Sequence, residues 1–127
     1  MTAVVFDASV VVAAVLKEPG GHRVAGHAER PMISAVNYAE VRTKLADLGM
    51  NTVNIDATLD VFALDVVSFD EAQAGKVAEL RESTRRAGLS LGDRACIVLA
   101  AARGTVALTA DRAWQRAELP ISIEYIR

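Results

Sequence analysis

Five acidic residues stand where strands of the predicted fold end or helices begin, so that their carboxylates could share one site. They are Asp7, Glu40, Asp70, Asp93 and Asp111. Carboxylates that meet in a partly dry cleft repel one another, and each ionised group then needs a compensating charge. A divalent cation supplies that charge, and a set of oxygen ligands favours Mg²⁺ or Mn²⁺ over zinc. The pattern therefore predicts a site for Mg²⁺, which Mn²⁺ could replace, if the fold brings these carboxylates together.

The apolar pattern predicts that short strands and helices alternate along the chain. Runs of β-branched residues favour strands, whereas apolar residues repeated at helical spacing favour helices. Predicted strands span residues 4–6, 32–35, 66–69, 106–109 and 121–126. Predicted helices span residues 9–17, 22–29, 36–48, 51–64, 71–86, 91–103 and 113–118. The alternation indicates a single α/β domain over residues 1–127, with a central parallel sheet of four to five short strands flanked by helices.

Chain connectivity predicts that the acids lie at one edge of this sheet. Ligands of such sheets bind at the carboxyl ends of the strands, near the point where the strand order reverses. Three of the acids lie just past the end of a predicted strand, namely Asp7, Asp70 and Asp111. The helix over 91–103 precedes a parallel strand and must run antiparallel to it, so its first turn, with Asp93, lies at the same edge. Glu40 lies in the first turns of the helix that follows the second strand.

Helix capping is an alternative explanation for several of these acids. Asp7 could cap the first helix, and Asp111 could cap the short helix after the fourth strand. Asp93 stands three residues after Ser90, which is the spacing of a capping box. For Asp70, capping of the helix that begins at residue 71 is the favoured interpretation.

The position of Glu40 on its helix also leaves two interpretations open. Helical periodicity places Glu40 roughly opposite an apolar stripe that includes Val41 and Leu45. Periodicity taken alone predicts a solvated glutamate. A ligand at the acidic edge is the other interpretation.

Composition and charge limit the classes of function. The chain has 127 residues, of which 52% are hydrophobic, and a formal net charge of -2. These values indicate a globular domain and argue against a strongly basic nucleic-acid binder, but not against an enzyme that holds a polynucleotide locally. A single cysteine, Cys96, suits the reducing cytoplasm. No signal segment or membrane-spanning run is evident, so we expect a cytoplasmic protein without membrane contact.

Four segments resemble the PIN domain family, and in particular the VapC-type toxins of bacterial toxin–antitoxin pairs. They are VVFDASVVVA, SAVNYAEV, LSLGDRACIVLA and VALTADRAW, and together they cover nearly the whole chain. The resemblance implies a three-layer PIN-like fold with the first strand beside the fourth. It also implies that four acids bind Mg²⁺ or Mn²⁺ and cleave RNA, namely Asp7, Glu40, Asp93 and Asp111. Gly92 is a mild departure, since a bulkier residue is also common there, and we expect it to put nothing essential in doubt.

The leading hypothesis is a metal-dependent endoribonuclease that acts as the toxin of a toxin–antitoxin pair. In this hypothesis Asp7, Asp93 and Asp111 carry most of the metal coordination, and a metal-activated water attacks the phosphodiester. Glu40 completes the set of ligands or orients the water. The resemblance also implies the partners, which are an RNA substrate, a small cognate antitoxin and a second copy of the chain in a homodimer.

Five further polar residues adjoin the acids and could position them or the substrate. The hydroxyl of Thr109 could orient a carboxylate or bind a metal-bound water, or Thr109 could be simply a β-favouring strand residue. Ser9 could position the acids or cap the first helix. Asn37 is either an outer contact of the site or a simple helix-start residue. Arg94 and Arg112 each follow a candidate ligand and could contact phosphate, or they could be surface arginines.

Other functional classes fit the residues less well. A flavodoxin-like phosphoacceptor signalling domain would use Asp70, but it also needs an acidic pair after the first strand and a lysine after the fifth, and no lysine follows Lys76. A phosphatase with an aspartate nucleophile needs a second aspartate where Ser9 stands. A catalytically silent PIN-like binding module is a further class, against which the retention of four acids argues.

Overall fold

The computed structural model describes residues 3–27 and 30–127. Within these residues the strands are β1 (Val4–Phe6), β2 (Met32–Ser34), β3 (Asp65–Val67), β4 (Val106–Thr109) and β5 (Ile123–Tyr125). The helices are α1 (Ala8–Leu16), α2 (Ala35–Asp47), α3 (Thr52–Asp60), α4 (Glu71–Glu79), α5 (Arg81–Thr84) and α6 (Leu91–Arg103). Short 3₁₀ helices span Gly21–Arg23 and Arg112–Arg116. None of the described helices is long and apolar enough to cross a membrane.

The five strands are parallel and lie in the order β3-β2-β1-β4-β5. β1 is central, and the chain moves from β1 to β2 and β3 on one side before it returns to β4 on the other. Phe6 at the end of β1 pairs with Leu108 of β4. The predicted contact between the first and fourth strands is confirmed, and it creates the reversal of strand order at which such sheets bind ligands.

Helices cover both faces of the sheet. Successive side chains of a strand point to opposite faces, and every residue of β1 is buried. Val4 and Phe6 pack with residues of α1, α2 and α3, whereas Val5 packs with residues of α6. The prediction of an α/β fold with a central parallel sheet flanked by helices is confirmed.

Three predicted elements agree with the structure residue for residue. They are the strands over 4–6 and 106–109 and the helix over 91–103. Helix α6 ends where Gly104 adopts a φ of 62°. A residue without a Cβ reaches this left-handed conformation easily, which is why glycine so often follows the last turn of a helix.

The predicted helix over 22–29 is wrong. Residues Gly21–Arg23 form a 3₁₀ helix instead, and the backbone then turns. Gly26 has a φ of 77°, which a continuing right-handed helix does not permit. Residues 28 and 29, at the end of the predicted helix, lie outside the described residues.

The single helix predicted over 71–86 is also wrong, because it breaks at Leu80 into α4 and α5. The hydroxyls of Ser83 and Thr84 both donate to the Leu80 carbonyl, at 3.3 and 2.6 Å. Side-chain hydroxyls that bond to the preceding turn compete with the backbone and often bend helices. Hydrophobic periodicity indicates which face of a helix is buried, but it does not show where side-chain hydroxyls bond to the backbone of the preceding turn.

Two further predictions overestimate helical length or type. The helix predicted over 51–64 ends at Asp60, and Ala63 has a φ of 50°. The helix predicted over 113–118 is the 3₁₀ helix Arg112–Arg116. Neither difference moves an acidic residue away from the carboxyl edge of the sheet.

Candidate active site

Asp7 lies directly after β1, and only 4% of its surface is exposed. Its Oδ2 accepts hydrogen bonds from Ser9 Oγ at 2.7 Å and from Thr109 Oγ1 at 2.9 Å. Although Asp7 stands at the N-cap position of α1, its side chain makes no capping hydrogen bond. The capping interpretation of Asp7 is therefore wrong, and its carboxylate belongs to a buried network with two hydroxyls.

The hydroxyls of Ser9 and Thr109 are themselves fixed by backbone amides. Ser9 Oγ accepts from Ala110 N at 3.0 Å, and Thr109 Oγ1 accepts from Asp111 N at 3.1 Å. Each hydroxyl oxygen is thus engaged as an acceptor, and its single proton is donated to Asp7 Oδ2. The contacts support the prediction that both hydroxyls orient a carboxylate.

Glu40 is exposed, but its carboxylate rests against the first turn of α6 and has a defined partner. Asn37 is fully buried, and its Nδ2 donates to Glu40 Oε1 and to Gly92 O, both at 2.9 Å. Asn37 is therefore more than a helix-start residue, because its amide joins α2 to α6. The interpretation of Glu40 as a solvated glutamate agrees with its exposure, but it does not account for the hydrogen bond from Asn37.

Asp93 and Asp111 act as caps, as the alternative interpretation predicted. Asp93 Oδ2 accepts from Ser90 N at 2.8 Å and Ser90 Oγ accepts from Asp93 N at 3.1 Å, which completes a capping box. Asp111 Oδ1 accepts from Ala113 N at 2.9 Å at the start of a 3₁₀ helix. Each cap engages one carboxylate oxygen, so capping leaves the second oxygen for another role.

The acids at this edge alter one another's ionisation. Burial, followed by the negative charge of Asp93, raises the pKa of Asp7 from 3.8 to about 7. Hydrogen bonds from the two hydroxyls lower that pKa only in part, and the charge of Glu40 raises it further. Burial also raises the pKa of Glu40 and that of Asp93, with added contributions from the charge of Asp93 on Glu40 and of Asp111 on Asp93. The four carboxylates therefore form one electrostatic cluster.

The donor set of this cluster suits a hard divalent cation by its chemistry. Hydrogen bonds in the described part of the chain engage one oxygen of each carboxylate, namely Asp7 Oδ2, Glu40 Oε1, Asp93 Oδ2 and Asp111 Oδ1. Asn37 Oδ1 is buried and has no hydrogen-bond partner among the same residues, and such atoms are commonly satisfied by water or an ion.

As placed, the acidic side chains stand apart from one another. Within residues 3–27 and 30–127, no three side chains of His, Cys, Asp or Glu are close enough together to hold a metal ion. In ligand type and in charge the cluster matches a hard divalent cation, but the described carboxylates do not converge on a common point.

Asp70 lies at the far end of the same edge, where β2 separates its strand from β1. β3 ends at Val67, so two residues intervene before Asp70. Asp70 is exposed, and its Oδ1 accepts from Gln73 N at 2.9 Å as the cap of α4. The favoured capping interpretation is confirmed.

The two arginines make contacts that the sequence analysis did not anticipate. Arg94 is buried, and its Nη1 donates to Val77 O of α4 at 2.9 Å. The surface prediction for Arg94 is therefore wrong, and this contact gives no support to a phosphate contact. Arg112 is exposed, but its Nε donates to Arg127 O at 2.8 Å and its guanidinium lies 5.0 Å from the ring centre of Tyr125.

Two neighbours of the acids were missed as parts of the site. Trp114 is almost fully buried, and its indole lowers the pKa of Asp93, although its Nε1 has no partner in hydrogen-bonding geometry among the described residues. Gly92 lies so close to Glu40 that a Cβ there would overlap the carboxylate. The sequence does contain an indication for Gly92. Glycine inside a helix is less favourable than alanine by about 1 kcal/mol, so its presence there suggests a structural reason.

Comparisons with known proteins agree with this architecture. A toxin–antitoxin complex from Klebsiella pneumoniae is similar with a TM-score of 0.77 at 13% identity, over 98% of each chain. A DNA-bound VapBC from Salmonella typhimurium is similar with a TM-score of 0.75 at 21% identity, over 100% of each chain. VapBC-5 from Mycobacterium tuberculosis, a member of the VapBC family of toxin–antitoxin systems, is similar with a TM-score of 0.62 at 24% identity, over 100% of this chain and 99% of that one. The TM-scores show a shared fold, and at identities below 25% they show nothing more than the fold.

A search among curated proteins gives no match. The PIN domain model, in contrast, matches residues 4–119, which include all four acids of the cluster. The strand order, the acidic edge and this match lead to one conclusion: the chain belongs to the PIN domain family.

Proposed function

We propose that the chain is a metal-dependent endoribonuclease of the VapC type and acts as the toxin of a toxin–antitoxin pair. Membership of the PIN domain family and a fold similar to that of three toxin–antitoxin proteins support the assignment. Four separate segments of the chain deliver carboxylates to one edge of the sheet. Helix capping accounts for one oxygen each of Asp93 and Asp111, but it does not account for Asp7 or Glu40.

The observation that carries the proposal is the buried carboxylate of Asp7. It accepts hydrogen bonds from two hydroxyls, and burial and the charge of Asp93 raise its pKa to about 7. Such an arrangement lowers the stability of the metal-free protein at neutral pH. Strongly shifted carboxylates with identifiable charged neighbours are characteristic of functional sites.

In the proposed mechanism the residues of the chain hold an ion and position a water. Asp7, Asp93 and Asp111 provide most of the oxygen ligands, and Glu40 completes the set or orients the water. A divalent ion bound there supplies the positive charge that activates water and stabilises the leaving oxygen of a phosphodiester. The two hydroxyls that bond Asp7 Oδ2 hold the carboxylate in one orientation, so its other oxygen keeps a defined direction.

Of the proposed partners, the antitoxin has the support of the structural comparisons. The similar proteins from Klebsiella, Salmonella and Mycobacterium are a toxin–antitoxin complex and two VapBC proteins. We therefore propose that a small antitoxin inhibits this chain. The resemblance of its motifs to VapC-type toxins is the basis for proposing that it acts on RNA in the cytoplasm and forms a homodimer.

The phosphoacceptor alternative conflicts with the order of the strands. Flavodoxin-like sheets have the order 2-1-3-4-5, which places the third strand next to the first. Here β2 lies between them, and Asp70 is an exposed cap at the outer strand. The site that a phosphoacceptor requires is therefore not assembled.

Cleavage of a structured RNA by the purified chain tests the proposal. We expect cleavage with Mg²⁺ or Mn²⁺ and none in EDTA. Asp93→Asn should lower the rate by several orders of magnitude, because it removes a charged ligand while keeping an oxygen that accepts from Ser90 N. Asp70→Asn is the matched control and should stay within about tenfold of the wild type, which is 1.4 kcal/mol of barrier.

Circular dichroism establishes that both variants are folded. If Asp70→Asn is the more damaging change, the assignment of the site is wrong. If the folded wild-type chain cleaves no RNA with any divalent ion but still binds an antitoxin, the catalytically silent binding module is the correct class.

A further inference from the structure

Gly92 lies directly against the carboxylate of Glu40, although the two residues are on different helices. A Cβ built on Gly92 would overlap Glu40 Oε1 and would lie 2.6 Å from both Cδ and Oε2. Real Cβ atoms essentially never approach other atoms so closely, so a side chain at residue 92 and the present position of Glu40 exclude each other. The missing side chain is what allows this carboxylate to lie against the first turn of α6.

The backbone of Gly92 contributes to the same arrangement. Gly92 O accepts from Asn37 Nδ2 at 2.9 Å, and the same nitrogen donates to Glu40 Oε1 at 2.9 Å. Asn37 is fully buried and is held between the two acceptors. The carbonyl of Gly92 thus fixes the amide that holds Glu40, and the absent Cβ leaves space for the carboxylate.

Other glycines of the chain show that this arrangement is specific to Gly92. A Cβ on Gly21 would meet the backbone of Ala13, and one on Gly20 would meet the backbone of Ile126, so these glycines serve chain packing. A Cβ on Gly75, inside α4, would meet nothing within 4 Å. Among the described glycines, Gly92 is the one whose added side chain would meet an acidic group.

We infer that Gly92 is a positioning residue that sets where the Glu40 carboxylate lies beside Asp93. The inference rests on the proposed function for the role of Glu40, but its steric basis does not. The atoms in conflict are the far end of a flexible side chain, so Gly92→Ala should move the carboxylate of Glu40 and leave the fold intact. Gly92 is therefore not the neutral departure that the sequence suggested.

Four variants of the full chain test this inference, namely Gly92→Ala, Gly75→Ala, Glu40→Ala and the double variant of Gly92→Ala with Glu40→Ala. In RNA cleavage we expect Gly92→Ala to lose about tenfold or more, a loss equivalent to 1.4 kcal/mol or more of barrier. Gly75→Ala should cleave like the wild type. The double variant should cleave like Glu40→Ala, because a residue that acts through Glu40 has no effect once that carboxylate is gone.

A melting-temperature cycle in EDTA gives a readout that does not depend on activity. In the Glu40→Ala background, Gly92→Ala should raise the melting temperature by roughly 2–5 °C, since alanine is the better helix former and meets no carboxylate. In the wild-type background the gain should be smaller or reversed. Gly75→Ala, made in the wild-type background, should raise the melting temperature by roughly the same 2–5 °C, because its added side chain meets no other group.

The two readouts separate failure of the inference from failure of the proposed function. If wild-type protein cleaves RNA, and Gly92→Ala cleaves equally well and shifts the melting temperature identically in both backgrounds, the inference is wrong and the nuclease proposal stands. If the wild type cleaves no RNA, the nuclease proposal fails, and the melting-temperature cycle still decides whether Gly92 positions Glu40.

Discussion

Asp7 and Asp70 occupy similar positions in the chain, each shortly after a strand of one parallel sheet, yet their surroundings differ. Asp7 follows the central strand, is buried, and accepts hydrogen bonds from two hydroxyls. Asp70 follows the outer strand, is exposed and caps α4. Burial and the charge of Asp93 raise the pKa of Asp7 to about 7.

The difference between the two aspartates follows from the order of the strands. β1 has a neighbour on each side, and Asp7 directly after it is buried. Thr109 at the end of β4 donates a hydrogen bond to Asp7, and the charge of Asp93 in α6 raises its pKa. β3 has a neighbour on one side only, and Asp70, two residues further from the strand end, is exposed to water. A strand-end aspartate thus becomes a chemically unusual group only where the sheet and its helices exclude solvent from it.

Replacement of Asp7 should have the largest effect on activity. Asp7→Asn keeps an oxygen that accepts from Ser9 and Thr109, so we expect a folded protein. It removes the buried negative charge, and we expect RNA cleavage to fall by about 10⁴-fold, or roughly 5 kcal/mol of barrier. Single-turnover cleavage with excess enzyme measures this loss, and cleavage at the wild-type rate would exclude Asp7 from the site.

The pH dependence of stability should reveal Asp7 in the metal-free protein. Its pKa is about 7 in the folded chain against the ordinary aspartate value of 3.8 in the unfolded chain. Between these pH values the folded state therefore holds a proton that the unfolded state has released. The free energy of unfolding should therefore fall as the pH rises from 4 to 7, by up to about 4 kcal/mol. The raised pKa values of Glu40 and Asp93 act in the same direction.

Urea denaturation in EDTA at several pH values measures this slope. Asp7→Asn is the control, since it lacks the titrating group and should show a flatter dependence and greater stability at pH 7.5. Equal slopes for the two proteins would mean that burial does not raise the pKa of Asp7.

Divalent ions should stabilise the wild type at pH 7.5. An ion that binds only the folded state adds about 2.7 kcal/mol at a hundredfold excess over its dissociation constant. Mn²⁺ and Mg²⁺ should raise the melting temperature of the wild type and of Asp70→Asn, but hardly that of Asp7→Asn. Ca²⁺ should also stabilise without supporting cleavage, because its coordination is looser. No shift with any of these ions at millimolar concentration would contradict the metal site.

Replacement of Asp70, beyond the outer strand β3, should have the smallest effect on activity. Asp70→Ala removes the oxygen that accepts from Gln73 N and should lower the free energy of unfolding by about 1 kcal/mol. RNA cleavage should stay within about tenfold of the wild type, which is at most 1.4 kcal/mol of barrier. Asp70→Asn retains a capping oxygen and should restore the stability. A large loss of cleavage in a folded Asp70→Ala protein would place Asp70 in the site after all.

Local pattern was sufficient for most of the fold and for part of the site. The apolar runs placed β1, β4 and α6 correctly, and the sequence spacing of Ser90 and Asp93 predicted their capping box. Periodicity alone favoured a solvated Glu40, and only the family resemblance favoured the acidic edge. The bond from Asn37 and the space beside Gly92 join α2 to α6, and no pattern within either helix encodes such a contact.

The surroundings of Arg94 also could not be predicted from the local sequence. A charged residue next to a candidate ligand is read from sequence as exposed or as a phosphate contact. The packing of α6 against α4 buries it and gives its guanidinium the carbonyl of Val77. The outcome depends on which face of α6 meets which neighbour, and that is a property of three-dimensional packing.

The amino-acid sequence by itself determined the order of strands and helices and which acids come at strand ends or helix starts, because these depend on side-chain periodicity and capping within a few residues. The tertiary structure decided which of those acids meet and how they ionise. Thr109 donates to Asp7 across 102 positions of the chain, and it does so because parallel pairing sets β4 beside β1. Burial at that junction raises the pKa of Asp7, whereas Asp70 at the outer strand remains exposed to water. The difference arises because desolvation depends on where the fold places a residue and not on the residue type.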